Sequence, residues 1–146
     1  MRFLKSIIIL LITTNFCIAA DLDSLKYFGK SIEEIQTGIA YADKISETQG
    51  SIGTLSKEQV DKIIYHSKKA LEYSNKVLDK DLNKLDRSLF YKTLADKYEN
   101  LFRKGLRLHI LGWEEGDPIK GLEANKLLNE WGKYYRKLRK KMGFKN

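Results

Sequence analysis

The sequence predicts an all-α protein: an antiparallel helical bundle of about four helices that follows an N-terminal signal helix. Three observations predict it. Apolar residues recur at intervals of three and four from Leu25 onward, no stretch alternates with the period of two that a strand requires, and the breaks between stripes leave connections of about 2 to 9 residues.

The first helix is read from Leu25, Phe28, Ile32, Ile35, Ile39, Ala42 and Ile45, one apolar stripe with Lys26, Glu33, Asp43 and their neighbours left for water. Asp23 or Ser24 stands where a cap belongs. Gly50 and Gly53 punctuate the segment from Glu47 to Thr54, which reads as a loop. Ser56-Lys57-Glu58-Gln59 then spells a capping box, with Leu55 and Val60 placed as a hydrophobic staple. The second helix carries Val60, Ile63, Ile64, Ser67, Leu71, Ser74 and Leu78 on its inner side. Between Leu78 and Leu82 a tight turn capped by Asp79 or Asp81 is preferred. A single rod of roughly 50 residues would be about 75 Å long, more than the remaining elements could cover.

The third helix presents Leu82, Leu85, Leu89, Leu94, Tyr98, Leu101, Gly105 and Leu108, widened by Phe90 and Phe102. The segment Gly112 to Pro118 reads as the clearest loop, and Asp117 followed by Pro118 starts the fourth helix as a cap and first helical residue should. That last helix presents Ile119, Leu122, Leu127, Leu128, Trp131, Tyr135, Leu138 and Met142 and ends at Gly143.

Met1 to Ala20 has a basic start, an apolar stretch from Ile7 to Ile12 and small residues at Ala19 and Ala20, the layout of a cleaved secretory leader. It implies a periplasmic or secreted protein whose helical domain occupies residues 21–146. A lipid anchor at Cys17 is the lesser reading, because Asn15 and Phe16 are not the small residues such processing prefers. If Cys17 leaves with the leader, no cysteine remains to form a disulfide, and burial of apolar surface must hold the fold alone.

Charge supplies the functional clue. The formal charge of +8 becomes +6 without Arg2 and Lys5 of the leader. Residues 132–146 contain Lys133, Arg136, Lys137, Arg139, Lys140, Lys141 and Lys145 and no carboxylate, so residues 21–131 sum to about −1. Clustered cations repel one another, and an anionic surface nearby is the usual reason for them. On a helix starting at Pro118, Lys133, Arg136, Lys137 and Lys140 share a face opposite Trp131, Tyr135 and Leu138, with Tyr134 and Tyr135 as added contact area. The expected partner is an acidic protein or an anionic lipid or lipopolysaccharide surface. A solvated helix end, favoured by the helix dipole, is the plain alternative. Nucleic acid is disfavoured by the near-neutral remainder and by export.

The sequence points to a non-enzymatic role. The alternative is a small cell-wall glycan hydrolase using Glu114 or Glu115 beside Trp113, since glycoside cleavage needs an acid and a second carboxylate. Adjacent acids on a glycine-flanked loop rarely supply the apolar setting that such an acid requires. His66 and His109 have no His, Asp, Glu or Cys three or four residues away, so no metal is expected, and no cofactor motif is present.

Overall fold

The computed structural model describes residues 22–49, 55–88 and 93–141, and among these it is helical with no strand. The order is α1 (Leu22–Gln49), α2 (Lys57–Asn75), α3 (Asp79–Ser88), α4 (Leu94–Lys97), a π-helical segment (Tyr98–Arg103), α5 (Lys104–Glu115) and α6 (Pro118–Lys141). Two compact units divide between Leu78 and Asp79. The leader, Cys17, the glycines at 50 and 53, Leu89, Phe90, Met142, Gly143 and Lys145 lie outside the described residues.

The first unit is an antiparallel hairpin of α1 and α2. Its antiparallel sense is fixed by contacts that step in opposite directions along the two helices: Tyr27 stacks on Tyr73 at 6.1 Å, Glu34 meets His66 at 2.9 Å and Lys62 sits 4.4 Å over the ring of Tyr41. The capping box forms as read, with Ser56 Oγ accepting from the Gln59 amide at 3.2 Å and Gln59 Oε1 from the Ser56 amide at 2.8 Å. Ile32, Ile35, Ile45, Ile63 and Ala70 are buried, and so are Ser24, Ser31, Ser67 and Ser74. Three of these serines return their hydroxyl to a carbonyl of the preceding turn, at 2.7 Å for Ser31 to Phe28, 3.2 Å for Ser67 to Ile63 and 2.8 Å for Ser74 to Leu71. Small side chains with internally satisfied hydroxyls can be buried without leaving a polar group unmet.

Several sequence expectations change here. α1 already begins at Leu22, so Asp23 and Ser24 lie in its first turn, and Ser24 Oγ instead accepts from the Leu78 amide at 2.9 Å across the hairpin. Ile39 is 50% exposed, because the buried line runs through Ser24, Ser31, Gly38 and Ile45 at intervals of seven. α1 also continues to Gln49, past the expected start of the loop. α2 ends at Asn75, which leaves Leu78 exposed in the turn and buries Val77. The turn preferred over a long rod is present, and α3 begins at Asp79 with Asp79 and Asp81 both inside its first turn.

In the second unit the expected third helix is interrupted. Thr93 has φ −135° and ψ 4°, outside helical geometry, and α4 starts after it. The apolar interval from Leu89 to Leu94 is five, a departure from the helical beat that marks the break. From Leu94 the buried line runs through Tyr98, Phe102, Leu106 and Ile110, while Leu101 and Leu108 are only half-buried. Repeated intervals of four drift by about 40° per step on a 3.6-residue helix. The wider π turn at Tyr98–Arg103 absorbs that drift and keeps the line facing inward.

Gly112 belongs to α5, which extends to Glu115, so the expected seven-residue loop reduces to Gly116 and Asp117. Gly116 ends α5 in the left-handed region at φ 66°, and the Gly112 carbonyl accepts from both its amide and that of Asp117. Asp117 caps α6 as read, its carboxylate accepting from the Ile119 amide at 2.9 Å and the Lys120 amide at 3.2 Å, with Pro118 first in the helix. α5 and α6 then pack as a second antiparallel pair. A Cβ on Gly112 would lie 2.9 Å from the Gly121 amide nitrogen, so the two backbones approach where no side chain fits. Farther along, Trp131 closes an aromatic cluster, 5.5 Å from Tyr98 and 5.3 Å from Phe102.

Candidate anion-binding face

Burial in α6 fixes which way its cations point. Ala124, Trp131 and Leu138, seven residues apart, are buried, with Trp131 4% and Leu138 2% exposed. Successive residues turn by about 100°, so Lys133, Arg136, Lys137 and Lys140 fall on the opposite side. All four are exposed. Among the described residues no carboxylate forms an ion pair with any of them.

The remaining predicted site residues are placed differently. Tyr134 and Tyr135 are half-buried and flank Trp131, each with its ring centre 5.7 Å away, Tyr135 stacked and Tyr134 tilted. Burial raises the Tyr135 phenol above its ordinary pKa, and the positive charge of Arg139 offsets part of that. Arg139 is therefore near the tyrosine side of the helix, and half-buried. Lys141 closes α6, and Lys145 lies beyond the described residues. The structure thus gathers four cations on one face and sets the two tyrosines against the core of their own unit.

Several other cations in the protein are engaged. Lys69 and Lys76 both reach Glu72 at 3.0 Å, and their hydrogen bonds hold that carboxyl below its ordinary pKa, the bond from Lys76 first. Lys30 and Lys76 also stand over the Tyr27–Tyr73 stack, at 5.2 and 5.5 Å from the Tyr73 centroid. Lys104 pairs with Glu123 at 3.2 Å. On the π turn, Arg103 is buried between Asp79 at 3.2 Å and Glu99 at 2.9 Å, with its guanidinium 4.9 Å from the Tyr98 ring centre. Burial opposes ionisation of Glu99, but hydrogen bonds from Arg103 and Arg107 outweigh it and keep the carboxyl low.

Sequence reading missed three members of the exposed face of α6. Lys126 is exposed, Ile119 is 75% exposed and Leu122 is 71% exposed, although the apolar spacing puts both aliphatic residues on the inner stripe. The signal is present in the interval of five from Leu122 to Leu127, which moves the stripe to a different face.

The acidic segment is built as a helix end. Glu114 and Glu115 are exposed in the last turn of α5, and Glu115 pairs with Lys120. Lys120 also meets Asp117 at 3.3 Å, and the backbone hydrogen bond from Lys120 leads the contacts that lower the Asp117 pKa. The Trp113 indole N–H donates to His109 Nε2 at 3.1 Å, and burial lowers the pKa of that histidine. His66 takes Glu34 as partner from the other helix of its hairpin. Among the described residues no three His, Cys, Asp or Glu side chains converge as metal ligands, and no helix is long and apolar enough to cross a membrane.

No family model, no curated protein and no solved structure matches this chain.

Proposed function

We propose that the chain is an exported, non-enzymatic helical-bundle protein that engages an anionic envelope component or an acidic protein partner through the basic end of α6. The leader composition supports export to the periplasm or beyond. One observation carries the binding part: Lys133, Arg136, Lys137 and Lys140 are exposed together on the side of α6 away from Trp131 and Leu138. Within the same fold Lys69, Lys76, Lys104 and Lys120 each have a carboxylate partner. A cationic face with no described carboxylate paired to it is suited to an external anion, and its attraction must weaken as salt screens it.

The test compares the wild-type chain with the variant carrying Lys133→Gln, Arg136→Gln, Lys137→Gln and Lys140→Gln, on phosphatidylglycerol vesicles and on immobilised polyglutamate. Wild type should bind at least one probe at low salt and release at about 0.5 M salt, where the screening length is only a few ångströms. The variant should bind roughly 600-fold more weakly, about fivefold for each of the four cations neutralised beside an anionic surface. Equal binding by the two proteins, or binding indifferent to salt, overturns the reading.

A further inference from the structure

Ile119 and Leu122 are the two most exposed large aliphatic side chains of the described residues. Singly exposed apolar residues are ordinary. These two stand on the same line as the cations: Ile119, Leu122, Lys126, Lys133, Lys137 and Lys140 follow intervals of 3, 4, 7, 4 and 3. On α6 that spacing is one ridge, about 31 Å long from Ile119 to Lys140 at 1.5 Å per residue. Asn129 fills the gap, Glu130 stands on the margin, and Arg136 flanks the opposite margin. The inner side of the helix is already occupied by Ala124, Trp131 and Leu138, so the ridge is a second, outward amphipathic surface.

We propose that this ridge seats α6 along the surface of an anionic phospholipid bilayer, with Ile119 and Leu122 entering the acyl boundary and the lysines meeting phosphates. The proposal rests on the cationic reading above and adds the occupant. A ridge is convex and has no cleft to grip a partner's side chain. It does present two chemistries that a lipid interface offers together all along its plane: apolar depth for the branched side chains and a layer of negative headgroups for the ammonium groups. Lysine suits this role, because its flexible stem lies along apolar surface while its head stays among phosphates. The leader would deliver the domain to a compartment bounded by membrane. Two aliphatic residues supply modest apolar area, so the attachment is reversible and surface-bound, in keeping with the absence of a spanning helix among the described residues.

The experiment is sedimentation with vesicles of phosphatidylcholine alone or of phosphatidylcholine with an equal part of phosphatidylglycerol, alongside retention on polyglutamate. Wild type is compared with Ile119→Ser/Leu122→Ser and with Lys133→Gln/Lys137→Gln/Lys140→Gln, each checked for unchanged helicity by circular dichroism. Wild type should bind the mixed vesicles and not the neutral ones. The lysine variant should bind them about 100-fold more weakly, at roughly fivefold per charge. The aliphatic variant should lose at least about tenfold on vesicles, from the apolar area withdrawn from water, while its retention on polyglutamate is unchanged. If the aliphatic variant sediments with mixed vesicles as wild type does, the lipid-seated ridge is overturned and the cationic reading stands. Retention on polyglutamate with no vesicle binding overturns the lipid occupant in favour of an acidic protein. If the lysine variant matches wild type on both probes, both readings fall.

Discussion

The two hairpins are both rich in lysine but place part of it differently. In the α1/α2 pair four lysines meet the molecule's own chemistry: Lys30 and Lys76 over two tyrosines, Lys62 over Tyr41, Lys69 and Lys76 on Glu72. In the α5/α6 pair, the far side of α6 carries Lys133, Arg136, Lys137 and Lys140 with no described carboxylate paired to them. Their interiors differ too. The first buries aliphatic residues and serines, and the second buries a cluster of Tyr98, Phe102 and Trp131 and has a close glycine contact farther along its pair of helices. A count of charges along the sequence cannot separate these cases, because it does not show whether an aromatic ring or acid on another helix comes within reach.

The largest expected effect tests how far the second hairpin depends on one side chain. Trp131 touches rings from the π turn and from its own helix, so Trp131→Ala should cost about 3–5 kcal/mol in urea unfolding. In the first hairpin the interior is spread over smaller side chains, and Ile63→Val should cost only about 0.5–1.5 kcal/mol. Similar destabilisation at the two positions would mean that the aromatic cluster is not the anchor described.

A smaller effect sharpens the glycine contact. Gly112→Ala places a methyl group 2.9 Å from the Gly121 amide nitrogen, and backbone cannot swing aside as a side-chain end can. Overpacking should outweigh the better helix propensity of alanine, for a net loss of about 1–2 kcal/mol. Gly121→Ala meets nothing within 4 Å and should gain about 0.5–1 kcal/mol. The opposite signs are the check, since a propensity effect alone would stabilise both variants.

The legible part of the fold lies where the signal is local. The Ser56 capping box and the Asp117–Pro118 start depend on neighbours within four residues, and both are present as spelled. The inner stripes are less legible, because burial depends on what packs opposite: Gly38 is buried against His66 while Ile39 beside it is exposed. The π turn is hidden for the same reason, since its residues also fit an α-helical stripe through Leu101 and Leu108. At the candidate site the cations can be placed on one face from spacing alone. What spacing does not reveal is that Tyr134 and Tyr135 lie against Trp131, or that Ile119 and Leu122 join the cationic side.

The smallest effect separates the hairpins by pH. His66 has a carboxylate beside it at 2.9 Å, whereas His109 accepts an indole N–H from Trp113 at Nε2 and is held neutral by burial. Burial lowers the His109 pKa in the folded chain below the value of about 6.5 it has when unfolded, so the unfolded state takes up a proton first as the pH falls. The stability tied to neutral His109 is therefore complete above that value and declines as pH drops toward the folded pKa. The carboxyls of Glu72, Glu99 and Asp117, all held low, begin to matter as the pH falls into their ordinary range and go on mattering below it. Between pH 7.5 and 5.0 the urea midpoint of wild type should fall, and His109→Gln, which keeps an acceptor for the indole but cannot be protonated in this range, should flatten that fall. An unchanged slope in His109→Gln would place the pH dependence elsewhere.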